Sequence, residues 1–197
     1  PERASFAAES GVTQVPFDGP QSVIAFGHRG IPRDDPDFLT AFVVNEIVGG
    51  GRFGTRLMRE LREKRGLTYG VGAFLASGLL GESYQGRLSA SNADAAEVIA
   101  LIRAEWEKLV AEGVTTDELN RIQTYLTGAY PLRFDGNGAI AGIMASMQFQ
   151  GFGIDYVNIR NDKIEAVTLE EANEIARRLY RPDSLRFIIV GQPEGIN

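Results

Sequence analysis

Arg62 and Tyr69 stand seven positions apart and can present a guanidinium fork and a phenol to a single oxygen atom. Both groups donate hydrogen bonds, and donors converging on a carbonyl oxygen or oxyanion stabilise the charge that develops there. They lie in the run Gly49-Gly50-Gly51-Arg52-Phe53-Gly54, continuing through Arg56, Arg59, Arg62, Lys64 and Arg65 to Gly66-Leu67-Thr68-Tyr69-Gly70. The run reads as a glycine break, a basic helix from about Arg52 to Arg65, and the start of a strand. A short helix-to-strand turn can bring the two side chains together. Taken singly, each has a plainer reading. Arg62 is one of six basic side chains on that helix, a solvated face favoured near the helix C-terminus. Tyr69 is a good strand residue.

Gly49, Gly50 and Gly51 can cradle an anion ahead of a helix. No Walker lysine follows and no GxGxxG follows a strand, so a tight helix-to-helix turn is the simpler reading. His28 is the single histidine and the chain has no cysteine. A zinc site takes several protein ligands, with His and Cys dominant, so no metal ligand set is expected here. A Ser-His-Asp triad would have to use His28, which reads instead as a strand-end histidine satisfied by a backbone carbonyl. Glu60, Glu63, Glu82, Glu170 and Glu171 fall on solvated or capping positions and make no two-carboxylate site.

The composition narrows the partners. With 20 basic and 26 acidic residues the net charge is −6 over 197 residues, which argues against nucleic acid or an anionic membrane surface. No apolar run is long enough to span a bilayer. Compartment stays open, with bacterial cytoplasm and periplasm both compatible. The chain starts at Pro1, as expected of a processed or partial chain.

The elements that must position these residues follow from periodicity. Strands are expected at Val12–Phe17, Ser22–Ile31, Leu67–Ala76, Glu82–Ser91 and Ser184–Gly191, the last apolar enough to be central. The third and fourth should form a hairpin. A buried helix starts at Asp35 as N-cap, with Pro36 in its first turn, and ends at Gly49 in a left-handed conformation. Asn92 should cap a long helix to Glu112. Thr115 with Glu118 and Thr168 with Glu171 have capping-box spacing. A helix through Ile140, Ile143, Met144 and Met147 should bury its methionines. On the basic helix, Phe53, Leu57 and Leu61 form an apolar stripe, and Arg56 with Glu60, Arg59 with Glu63, and Glu60 with Lys64 are spaced as ion pairs. Strands and helices do not alternate regularly, so the expectation is an α+β fold: one domain over residues 1–197, with a mostly antiparallel sheet of about five or six strands and helices on one face.

Asp35-Pro36-Asp37-Phe38, Asn45-Glu46-Ile47-Val48-Gly49-Gly50-Gly51 and Arg59-Glu60-Leu61-Arg62-Glu63-Lys64-Arg65-Gly66-Leu67-Thr68-Tyr69 together resemble the second, non-zinc domain of the inverzincin metallopeptidases, the pitrilysin, insulinase and mitochondrial-processing-peptidase family. The resemblance extends to Glu118-Leu119, Gly151 and the closing apolar strand. It implies that Arg62 and Tyr69 match the family's arginine–tyrosine pair, which binds a substrate carbonyl and steadies the tetrahedral intermediate. It also implies, more weakly, that Gly49, Gly50 and Gly51 contact substrate. The family's His-x-x-Glu-His motif is absent, so the chain binds no cofactor itself. Zinc is expected on a partner domain or subunit that carries that motif. The implied assembly is a dimer-like clam around a peptide, in which this chain is half of a two-domain subunit and a sheet edge can receive peptide as an added strand. The alternatives are a purely structural subunit of the same family and an unrelated α+β peptide-binding module.

Overall fold

Side chains along Gln21–Arg29 (β2) alternate: Ser22, Ile24, Phe26 and His28 are buried, whereas Gln21, Ala25 and Arg29 are exposed. That period of two marks a strand covered on one face, and β2 is the middle of a five-stranded sheet. In the computed structural model, which describes residues 2–196, the other strands are Gly11–Pro16 (β1), Thr68–Ser77 (β3), Glu82–Ser91 (β4) and Arg186–Gly191 (β5). Their order is β1-β5-β2-β4-β3. Every pairing is antiparallel except β1 with β5. The α+β class and the β3–β4 hairpin are as expected. β5 is interior, lying between β1 and β2.

The helices are Phe38–Val48 (α1), Ala95–Glu112 (α2), Thr116–Ala129 (α3), Asn137–Phe149 (α4), Tyr156–Glu165 (α5) and Leu169–Leu179 (α6), with a π-helical turn at Met58–Glu63. They cover the face carrying Ile24, Phe26, Tyr84, Leu88, Phe187 and Ile189. The opposite face shows Ala25, Phe74, Gln85, Arg87 and Ile188 to solvent. Among the described residues no helix is long and apolar enough to cross a membrane.

Both capping boxes form. Thr115 Oγ1 accepts from the Glu118 N–H, Thr168 Oγ1 accepts from the Glu171 N–H, and each glutamate reaches back. Two other helix starts differ from expectation. Asp35 does not cap α1: its Oδ1 accepts from the Asp37 N–H at 2.9 Å, closing a local turn that contains Pro36 and delays the helix to Phe38. Asn92 does not cap α2, because its amide bridges Ser22 Oγ at 2.7 Å and the Gly19 carbonyl at 2.8 Å, tying β4 to the turn before β2. Helix α4 forms but buries none of its residues; Met144 is exposed and only Ile143 and Met147 are partly covered. Ile140, Ile143, Met144 and Met147 share one stripe, but only its Ile143 and Met147 side meets the body.

The heart of the core is aromatic. Trp106 of α2 packs edge-on against Phe26 and Tyr84, and His28 stacks on Tyr84 with ring centroids 4.9 Å apart. Trp106 Nε1–H donates to His28 Nε2 at 3.1 Å. The imidazole proton is therefore on Nδ1, which donates to the Arg29 carbonyl at 2.7 Å. His28 is a neutral core histidine satisfied by a backbone carbonyl.

Burial lowers the His28 pKa below its ordinary 6.5; the Arg29 carbonyl opposes this, and the charge of Arg181 adds to it. The stability His28 contributes is therefore fully present above pH 6.5 and is lost as pH falls below that value toward the lowered folded pKa. Urea unfolding should show stability declining as pH falls below about 6.5, and His28→Gln should flatten that decline while lowering the plateau. Equal slopes in both proteins would show that His28 does not set the acid limb.

Candidate functional site

The end of α1 fixes the site. The Gly49 N–H closes the helix on the Asn45 carbonyl at 2.7 Å, and the Gly49 carbonyl accepts from the Ala73 N–H of β3 at 2.6 Å. A Cβ at Gly49 would stand 2.7 Å from Ala73 Cβ. Glycine is needed there for close approach and not for a left-handed cap, since φ is −143°. The left-handed residue is Gly51, at φ 72°, exposed, with open space where a Cβ would stand. Asn45 Nδ2 donates to the Ala73 carbonyl at 3.1 Å, and the Val71 N–H meets Met58 Sδ at 3.4 Å. The outer edge of β3 is thus occupied around these residues.

The expected helix from Arg52 to Arg65 is shorter and wider. Arg52 to Thr55 are a loop, and the turn at Met58–Glu63 is π-helical, with the Lys64 N–H reaching the Arg59 carbonyl at 3.0 Å. Leu57, Met58 and Leu61 are buried, but Phe53 is 67% exposed and is no part of the stripe. The Gly54 N–H donates to Glu63 Oε1 at 3.1 Å, which holds the loop back against the turn. Gly66 takes φ 68° and sends the chain into β3. A bulge lies between Thr68 and Val71, with Thr68 Oγ1 bonded to the Gly70 N–H and the Ser89 carbonyl. The bulge turns Tyr69 outward, 88% exposed.

These features converge on Arg62. Its Cζ lies 4.5 Å from the Phe53 ring centroid and 4.7 Å from that of Tyr69. The guanidinium is held by two rings, an arrangement that orients a cation without consuming its N–H donors. The other basic residues of the segment all have carboxylates. Arg52 pairs with Glu46, Arg56 and Arg59 with Glu118, Lys64 with Glu60, and Arg65 with Glu60 and Glu97. Of the expected ion pairs only Glu60 with Lys64 forms; the π turn shifts the register and α3 presents Glu118 instead. Among the described residues Arg62 has no acid within ion-pair distance and its side chain makes no hydrogen bond. That separates it from a solvated charged face.

Of the three glycines, Gly49 is buried against β3. Gly50 is hemmed in by Glu46 and Arg52, whose Nη2 donates to Glu46 Oε2 at 2.7 Å. Only Gly51 is exposed. Sequence reasoning missed Phe53, although Gly54 directly after it is a turn signal that should have broken the expected helix. It also missed the link from Arg56 to Glu118. Arg56 donates Nε–H and Nη2–H to the two carboxylate oxygens at 2.8 and 2.7 Å, and Nη2 also donates to the Gly113 carbonyl at 2.8 Å.

Among the described residues no three His, Cys, Asp or Glu side chains gather as a metal site, and both nitrogens of His28 are engaged. The residues present do not fit zinc.

The family model described as the peptidase M16 inactive domain matches residues 2–126. A non-peptidase homologue from Helicobacter pylori is 24% identical over 173 residues, covering 88% of this chain and 40% of that protein. An uncharacterised zinc protease from Streptomyces coelicolor is 30% identical over 176 residues, covering 85% and 37%. The chain therefore spans about two-fifths of the length of these curated relatives. The crystal structure of a peptidase M16 inactive domain from Pseudomonas fluorescens matches with a TM-score of 0.86 at 26% identity, covering 96% of this chain and 44% of that one.

Burial pushes the Glu118 carboxyl up, but the Arg56 fork and the Thr115 bonds outweigh it and hold the pKa at about 2, against 4.5 ordinarily. A depressed carboxyl pKa gives stability that is present above pH 4.5 and is lost as pH falls toward 2. Arg56→Ala should destabilise by about 3 kcal/mol, because it strands a half-buried carboxylate. Glu118→Gln should remove part of the acid-induced loss seen by circular dichroism below about pH 4.5. Gly49→Ala should cost about 1–3 kcal/mol through its clash with Ala73; an unchanged melting temperature would refute the close-approach reading.

Proposed function

This chain belongs to the peptidase M16 inactive-domain family, and on that premise we propose that Arg62 and Tyr69 grip a peptide carbonyl oxygen opposite a zinc site carried by another domain. The observation that carries this reading is the isolation of Arg62. In a segment where every other base has an acid, it is clamped between Phe53 and Tyr69 with its donors unspent. The guanidinium supplies a fixed positive charge, and the exposed Tyr69 phenol a second donor. Both bonds strengthen as the carbonyl becomes a tetrahedral oxyanion, which is where binding raises rate. The exposed Gly51 allows a peptide backbone to pass close by, while Gly49 and Gly50 hold the turn in place.

The zinc-bearing half would carry His-x-x-Glu-His in the same subunit or a second one, and the two halves would enclose the peptide as a dimer of like domains. This domain would then be half of a two-domain subunit. A purely structural role is the competing reading, supported by the relative named a non-peptidase homologue. A structural subunit has no need of an unpaired arginine held beside an exposed tyrosine.

Mixed with the zinc-bearing partner, the full-length protein should support peptide cleavage. Arg62→Ala and Tyr69→Phe should each lower kcat by about 100-fold. Neither should shift the melting temperature appreciably, since the Tyr69 ring is exposed and Arg62 has no ion pair to lose. Turnover unchanged by both substitutions would leave the structural reading standing.

A further inference from the structure

A second group of arginines lies at the other end of α1, separated from the glycine turn by about 16 Å of helix rise. Arg33, Arg133 and Arg160 line one cavity of about 350 Å³ with Phe38, Tyr130, Phe152 and Met147. Arg33 sits between two rings, 4.5 Å from the centroid of Phe38 and 4.8 Å from that of Phe152. Its Nη2 donates to Gln150 Oε1 at the end of α4, while its Nε is buried without a hydrogen-bond partner. Arg160 is 8% exposed and lies over the Tyr130 ring at 4.2 Å. It donates only through Nη1, to the Leu126 carbonyl at 3.4 Å and Asn161 Oδ1 at 3.1 Å. The buried Tyr130 hydroxyl likewise has no partner.

None of the three arginines has a carboxylate within ion-pair distance among the described residues, in a chain where acids outnumber bases by 26 to 20. Beside Arg33 in sequence, Asp34 is taken by Arg3 at 3.7 Å, and Asp35 and Asp37 by Arg178 at 2.9 and 2.7 Å. Burying a guanidinium without a counter-charge is costly. Three around one hollow, with unspent donors and aromatic walls, match an anion that brings its own apolar body.

We propose that this cavity is a second ligand site, which takes a small organic carboxylate bearing an apolar side group, as at the C-terminus of a peptide ending in a hydrophobic residue. The carboxylate meets the arginine donors. The side group lies against Phe38, Phe152 and Met147.

The test is a titration of the full-length protein followed by NMR and calorimetry, with three probes: N-acetylphenylalanine, its neutral amide, and inorganic phosphate. No cleavage is measured, so the outcome is independent of Arg62 and Tyr69. The carboxylate should bind saturably and shift resonances of residues around Phe38 and Phe152. The amide should not bind, and phosphate should bind more weakly and compete. Arg133 is exposed, so Arg133→Gln leaves the fold intact and should weaken the carboxylate about tenfold; Arg160→Gln, checked for folding by circular dichroism, should do at least as much. Absence of saturable binding, equal binding of the amide, phosphate binding as tightly as the carboxylate, or an affinity unmoved by Arg133→Gln would each overturn the proposal.

Discussion

The contact of Gly49 with Ala73 is the constraint on which the site depends. Only a residue without a Cβ lets the end of α1 come close enough for the Gly49 carbonyl to take the Ala73 N–H at 2.6 Å. That bond fixes where the glycine turn leaves the helix. Gly51 then reverses the chain with a positive φ, Phe53 emerges above the π turn, and Glu63 holds the loop through the Gly54 N–H. Tyr69 reaches the same place from the other side, along β3 and its bulge. Helix end, turn, π segment and strand are thus one mechanical unit around a single guanidinium.

Charge is distributed with the same economy. Glu118 closes a capping box as the third residue of α3 and is also the partner of Arg56 and Arg59, so one carboxylate starts α3 and locks the π segment to it. Glu60 gathers Lys64 and Arg65. What is left over is Arg62, fixed by aromatic faces instead of by an acid. A carboxylate in that place would compete with any substrate carbonyl for the same donors, whereas rings hold the cation and leave the donors to face solvent.

Much of this was legible in the sequence because short-range rules governed it. Strand alternation located β2 and β4, apolar density located β5, and the spacings of Thr115 with Glu118 and Thr168 with Glu171 gave two helix starts. The pairing of Arg62 with Tyr69 followed from helix-to-strand spacing and from family resemblance. What escaped was tertiary. The reason for glycine at position 49 lies on β3, twenty-four residues later. Arg56 leaves its local partner Glu60 for Glu118, sixty-two residues away. Phe53 matches a core position only if helical spacing runs one turn back across Gly54, where the chain is a loop. Helix α4 carries a strongly apolar sequence that this fold leaves exposed, and periodicity cannot tell a buried apolar helix from an unburied one.

The central claim is that Arg62 and Tyr69 bind the tetrahedral state more tightly than the ground-state peptide. The most direct measurement compares a series of phosphonate peptides, which mimic the tetrahedral state, with the matching substrates in the assembled peptidase, using Arg62→Ala and Tyr69→Phe beside the unaltered protein. If the pair acts on the oxyanion, log Ki of the phosphonates rises in step with the fall in log kcat/KM, while ground-state affinity changes little. Phosphonate affinity that ignores both substitutions would contradict the account.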